Sequence, residues 1–263
     1  MQKLRQKENK INNIKVAVVA CVHGDELVGK KIIRELNKLT IKNGILKTFI
    51  ANPEAVKKKK RCIDTDLNRS FPGNKNGTHE EKIAYKLNKE LQDFNYVIDI
   101  HSTTTDVESL VIITKLNKEI RSLINAFNSK RVALMPKNIA QKAMIYYCNA
   151  GISFEYGNDK SNDAYKNALN DIKIILSNLN LIEEKIKKPK QKTELYKVID
   201  TLDKPKGCKV NKELKNFKEI KKGDLIGETT TKKIIAKRSF YPILFSEKAY
   251  EKIFGFRARK LKW

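Results

Sequence analysis

The stretch Val16-Ala-Val-Val-Ala-Cys-Val-His23-Gly-Asp-Glu26-Leu27 decides how this chain folds. Its first five residues are apolar and mostly β-branched, the mark of a strand covered on both faces. A short turn follows, and a helical period then runs over 27–36. Strand, turn and helix form the unit of an open α/β sheet, and such sheets bind ligands beyond the carboxyl ends of their strands. The turn carries an imidazole, His23, and three residues later a carboxylate, Glu26. Zinc accepts both donor types, and its catalytic sites keep one coordination position open. His-x-x-Glu is a common spacing by chance, so its meaning rests on what else reaches the same edge.

Outward from this unit, apolar runs predict further strands at Ile45–Ala51, Tyr96–Ile100, Ser109–Thr114, Val132–Met135 and Ile152–Tyr156. Helical periods fall at Glu26–Lys38, Glu80–Gln92, Leu116–Asn128 and Asp163–Leu181. In the second of these, Ile83, Ala84, Leu87 and Leu91 share one face, and Glu80, Lys82, Lys86 and Glu90 are expected in solvent. The alternation predicts an α/β fold with a mixed, mostly parallel sheet flanked by helices. The pattern changes at the charged, proline-containing stretch Glu183–Lys192. Beyond it, short strand candidates at Leu195–Ile199, Leu225–Gly227, Ile234–Ala236 and Ile243–Phe245 predict a small C-terminal β-rich domain. The expected division is 1–182 and 193–263.

Bulk properties narrow the class. The chain has 263 residues, 40% hydrophobic and 32% charged, with a formal net charge of +25. No apolar run approaches the roughly 18 residues of a membrane span, and residues 1–12 lack the apolar segment of a secretory signal. A cytoplasmic protein with no membrane partner is the expectation. The positive charge is mostly lysine spread along the whole chain, alongside many Ile and Asn residues, as base composition alone produces. No specific nucleic-acid partner is expected, although a distributed charge still concentrates small anions. The four cysteines are far apart and form no Cys-x-x-Cys pair, so reduced, packed thiols are the default.

Only three histidines are present, His23, His79 and His101. Like His23, His101 directly follows an apolar strand run, so two strands of one sheet can bring both to one edge. His23, Glu26 and His101 then form a His₂Glu set, the ligand type of several zinc hydrolases. His79 lies in a Gly/Asn-rich loop before a helix and reads as a surface or capping residue. Asp99 either orients a ligand from behind or ends its strand as a turn residue. Arg61 and Arg69 stand out in a lysine-dominated chain. Arginine suits bidentate carboxylate recognition, and Asn68 can share a carboxylate with Arg69. Arg61 can face a carbonyl oxygen that becomes negative during reaction. Each arginine alone also fits a surface ion pair. Glu155 ends an apolar strand, where a carboxylate is costly unless it has a partner or a proton to move; a strand-end salt bridge is the alternative.

Taken together, His23-Gly-Asp-Glu26, Asp66-Leu-Asn-Arg69-Ser-Phe-Pro-Gly73, Asp99-Ile-His101-Ser-Thr and the Glu155 strand resemble the succinylglutamate desuccinylase/aspartoacylase family, within the wider zinc carboxypeptidase-like group. The resemblance spans most of the chain, because the β-rich tail also looks like the family's C-terminal domain. It implies an amidohydrolase with one Zn²⁺ per chain that removes an acyl group from a small anionic N-acyl amino acid. His23, Glu26 and His101 would hold zinc, Arg61 would polarise the scissile carbonyl, and Asn68 and Arg69 would bind the substrate carboxylate. Glu155 would be the general acid/base. In the tail, Ser246-Glu-Lys-Ala-Tyr250 resembles a stretch whose tyrosine reaches the active site. Two departures stand out. Asp25 replaces a usual Asn, and Gln141–Phe154 offers Lys142 where aspartoacylase has a further substrate-binding arginine. Alternative readings are a metallocarboxypeptidase acting on peptides and a basic nucleic-acid-binding protein on an old hydrolase fold.

Overall fold

The computed structural model describes residues 14–105, 107–159, 161–247 and 250–263. In chain order the first part contains β1 (Lys15–Ala20), α1 (Val28–Leu36), β2 (Ile45–Ile50), α2 (Pro53–Lys58), a 3₁₀ turn (Leu67–Arg69), α3 (His79–Leu91) and β3 (Tyr96–Ser102). Next come β4 (Leu110–Ile113), α4 (Lys118–Phe127), β5 (Arg131–Leu134), α5 (Lys137–Ala140), α6 (Met144–Tyr147), β6 (Gly151–Tyr156) and α7 (Asn162–Asn178). The chain ends with β7 (Glu194–Asp203), β8 (Lys209–Val210), β9 (Leu225–Glu228), β10 (Lys233–Ile235), β11 (Tyr241–Ile243) and β12 (Ile253–Leu261).

The main sheet has nine strands in the order β11-β12-β7-β5-β4-β6-β3-β1-β2. β1 pairs in parallel with β2 and β3, and β3 pairs in parallel with β6. β4 runs antiparallel to β6 and parallel to β5, which makes the sheet mixed but mostly parallel. The apolar run that opened the chain is buried on both faces, as its composition requires. Val16, Val18 and Ala20 pack with Ile32 of α1, Ile124 of α4 and Ile175 of α7. Ala17 and Val19 pack on the opposite face with Leu87 and Leu91 of α3. A fully buried valine of this kind stabilises the fold by roughly 1.5–3 kcal/mol.

The C-terminal β-rich part is present, and its strands divide between two sheets. β7 joins the main sheet in parallel beside β5, and β12 and β11 add to it antiparallel. β8, β9 and β10 form a three-stranded antiparallel sheet of their own. β12 escapes a pattern search because Gly255 and the run Arg257-Ala-Arg-Lys260 break its alternation. Its register with β7 shifts between Ile253 and Gly255. Gly255 has φ 149°, and a Cβ there would lie 2.7 Å from the Leu244 carbonyl oxygen, so the close approach of these two backbones needs glycine. Among the described residues no helix is long and apolar enough to cross a membrane.

Candidate active site

β1 and β3 lie side by side with Ala20 opposite Ile100, so the residues that follow them emerge together. Cys21 takes φ 55° and turns the chain out of the sheet. Gly24 follows, and a Cβ at this position would lie 2.3 Å from the Ala55 carbonyl carbon, so only glycine fits. Its N–H donates to the Arg61 carbonyl at 3.0 Å, which fastens the turn to the segment after α2.

This turn brings His23 beside His101, with ring centroids 5.0 Å apart. Glu26 bridges them: Oε1 is 2.7 Å from His23 Nδ1 and Oε2 is 3.0 Å from His101 Nδ1. The Ser102 N–H also donates to Glu26 Oε2, at 3.1 Å. One potential ligand atom from each of His23, Glu26 and His101 lies within 4.8 Å of the others. The far side of each ring faces a carboxylate. His101 Nε2 is 2.8 Å from Asp99 Oδ2, and His23 Nε2 is 3.1 Å from Asp66 Oδ1. With His101 Nε2 donating to Asp99, its Nδ1 lone pair faces the space beside Glu26, the orientation a metal-binding imidazole needs, while His23 Nε2 is shared between Asp66 and Arg61 Nη2, which lies 2.9 Å away. Asp99 therefore orients a candidate ligand rather than ending a turn. It is fully buried, and it also accepts the Ser153 hydroxyl at 2.9 Å from the facing position on β6.

Electrostatics support the same reading. Burial alone would lower the His101 pKa, but Asp99 and Glu26 outweigh it and raise it well above the usual value. Burial also opposes protonation of His23, and Asp66 and Glu26 overcome it. Burial works against the charge of Glu26, yet His101 and His23 hold its carboxyl well below the ordinary range. The cluster thus attracts positive charge strongly, and a divalent cation would take the place of these protons.

The loop from Arg61 to Arg69 forms the neighbouring wall. Arg61 Nη2 donates to Asp66 Oδ2 at 2.9 Å, so Asp66 ties Arg61 and His23 together. Asp66 also caps the 3₁₀ turn, accepting the Asn68 N–H at 2.8 Å. Asn68 is fixed in turn, because its Oδ1 accepts the Met144 N–H at 3.0 Å. Beneath the loop lies Glu80, which the helical period placed in solvent. It is instead fully buried. It stands in the first turn of α3, where its side chain reaches past the helix end. Oε1 accepts from Ile63 N–H at 2.6 Å and Asn52 Nδ2 at 3.0 Å; Oε2 accepts from Asp64 N–H at 3.0 Å and Thr65 N–H at 3.1 Å. Burial pushes its pKa up, and these donors outweigh that and lower it. His79 has the expected helix-end position: its N–H donates to Asp64 Oδ2 at 2.9 Å, and it is absent from the cavity lining.

Glu155 faces His101 in the parallel ladder, so the two share one face of the sheet. Burial pushes its carboxyl up to about 7. Tyr250 comes from the C-terminal part, and burial together with the Glu155 charge raises its phenol pKa. His23, Glu26, Arg61, Asn68, Arg69, His101, Glu155 and Tyr250 line one cavity of about 350 Å³, with Asp99 buried behind it. Asp66, Glu80 and Asn52 were missed as contributors. Asp66 stood in the quoted motif, and the Thr78/Glu81 capping box beside Glu80 marked the helix start that turns Glu80 inward. Lys142 is exposed and does not line the cavity, whereas Ala143 and Ile145 do.

Known proteins resemble this chain in the same region. A family model for the succinylglutamate desuccinylase/aspartoacylase catalytic domain matches residues 12–170. An N-acyl-aromatic-L-amino acid amidohydrolase (carboxylate-forming) of Xenopus laevis is 26% identical over 94% of each chain. An aspartoacylase of Danio rerio is 28% identical over 56% of this chain and 50% of its own. The crystal structure of murine aminoacylase 3 shares the fold, with a TM-score of 0.80 and 20% identity over 94% of this chain and 95% of the other. So does a succinylglutamate desuccinylase from Vibrio parahaemolyticus, with a TM-score of 0.69 and 17% identity over 96% and 83%.

Proposed function

This chain belongs to the succinylglutamate desuccinylase/aspartoacylase family, and from that premise we propose that it is a zinc-dependent amidohydrolase releasing the acyl group from an N-acyl amino acid. One observation carries the reading: Glu26 bridges two imidazole Nδ1 atoms in a cavity that also holds Glu155 and Arg61. His23, Glu26 and His101 match the His₂Glu donor set of catalytic zinc sites, and the rings are already oriented from behind. Zinc held there supplies a Lewis acid that acidifies water and polarises a carbonyl oxygen.

The chain's own groups supply the rest. Asn68 and Arg69 receive the substrate carboxylate and fix the amide between Arg61 and Glu155. Glu155, raised to about 7 by burial, takes a proton from the attacking water and delivers it to the departing nitrogen. Arg61, held by Asp66, donates to the carbonyl oxygen as it gains negative charge. Tyr250 closes the cavity from the C-terminal part, so catalysis requires both 1–182 and 193–263. The four cysteines are free thiols, which supports a reducing cytoplasmic setting.

Metal analysis of the purified protein tests the centre. About one zinc per chain is expected, with loss in His101→Ala. Retention of full zinc by a folded His101→Ala protein would remove His101 from the ligand set.

A further inference from the structure

The cavity is lined by few cations. Among the described residues, the cations lining it besides the histidines are Arg61 and Arg69. The proposed reaction occupies both, Arg61 at the carbonyl and Arg69 with Asn68 at the carboxylate. A second carboxylate on the substrate would need a further cation. Lys142 does not provide it, being exposed, with its backbone carbonyl engaged by the Phe71 N–H at 3.3 Å. Asp25 and Asp159 also line the cavity and would repel a second negative charge.

Part of the lining is apolar. Ile112 comes from β4, Met135 follows β5, Ile139 and Ala140 come from α5, Ile145 from α6, and Phe256 from β12. The α5–α6 segment also determines which half of the substrate meets this lining. The Met144 N–H bonds Asn68 Oδ1 at 3.0 Å, so Ala143 and Ile145 stand next to the residue that receives the carboxylate. The part of an N-acyl amino acid nearest its carboxylate is the amino-acid side chain. An unpaired carboxylate pressed against these residues would lose its hydration without a partner, whereas an apolar group gains from burial.

We propose that this apolar lining, Ile139 and Ile145 included, is a side-chain subsite that selects N-acyl amino acids with apolar side chains and rejects those with acidic ones. The proposal rests on the deacylase reading above, and two readouts separate the two. The first is amine release by the zinc-loaded protein from N-acetyl-L-leucine, N-acetyl-L-phenylalanine, N-acetyl-L-aspartate and N-acetyl-L-glutamate. The expected kcat/KM is at least ~100-fold higher for the apolar pair. The second is calorimetric binding of the same four compounds to zinc-loaded Glu155→Gln, which reads the subsite without turnover. Tighter binding of the apolar pair with no amine release from any compound would overturn the deacylase reading and leave the subsite standing. Equal or tighter binding of the acidic pair, or binding of none, would overturn the subsite. Ile139→Arg, at a half-buried position, places a cation in this lining and should narrow the preference at least ~10-fold in both readouts. An unchanged preference in folded Ile139→Arg would also count against the subsite. Ile139→Lys gives the same comparison should the arginine variant fail to fold.

Discussion

His23, Glu26 and His101 enter the cavity from the ends of two adjacent parallel strands, whereas Ile112, Met135, Ile139 and Phe256 enter it from segments far apart in the chain. The first wall is held by directed bonds. Asp99, Asp66 and Glu80 each fix a neighbour through hydrogen bonds of 2.6–3.1 Å. The second wall is held by packing, and Met135, Ile139 and Phe256 belong to one apolar cluster with Tyr250 and Leu244. Directed bonds set where a proton or charge is placed, and packing sets the shape that a substrate must fill. Changes in the first wall should therefore alter rate, and changes in the second should alter choice.

The largest expected effect is in the first wall. Glu155→Ala should lose at least ~100-fold in kcat, measured by amine release, while keeping its zinc. The pH profile sharpens the same point. Glu155 is raised to about 7, chiefly by burial, and a zinc ion bound beside it would lower that value, so the acid limb of kcat/KM should lie between the ordinary value of 4.5 and about 7. Activity falls as pH drops through that limb, because protonated Glu155 cannot act as a base.

Arg61→Ala should cost about 100-fold in kcat with a smaller change in KM, whereas Arg69→Ala should mainly raise KM. Equal effects of the two substitutions on both constants would erase the distinction between carbonyl and carboxylate recognition. Glu80→Ala leaves Ile63, Asp64 and Thr65 N–H groups without their acceptor and should destabilise the fold by roughly 1–3 kcal/mol, read as a lowered unfolding midpoint. A loss confined to activity, with no change in that midpoint, would show that Glu80 does not hold the loop. The smallest effect belongs to the second wall. Ile139→Ala should change kcat/KM for N-acetyl-L-leucine by no more than about 10-fold and leave zinc content unchanged.

The same contrast explains what could be read from the chain. β1, the His23/Glu26 turn and the strand before His101 are local: a few consecutive residues carry the burial pattern and the donors together. The mixed, mostly parallel sheet followed from the alternation of such units. Glu80 was misplaced because a helical period assigns faces within a helix and ignores a first-turn side chain that reaches beyond it. β12 was missed because its stability comes from pairing with β7, a strand some fifty residues away, rather than from its own alternation. The apolar wall was likewise invisible, since no spacing rule joins Ile112, Ile139 and Phe256. Lys142 drew notice by its sequence position, yet the structure directs it outward and offers Ile145 to the cavity in its stead.

The most direct test of the central claim strips the protein of metal with a chelator, restores zinc in measured steps, and follows amine release from N-acetyl-L-leucine. Activity should be absent after stripping and return linearly to a plateau at about one zinc per chain. Activity that survives stripping, or that never appears at full zinc occupancy, would contradict a zinc deacylase centred on His23, Glu26 and His101.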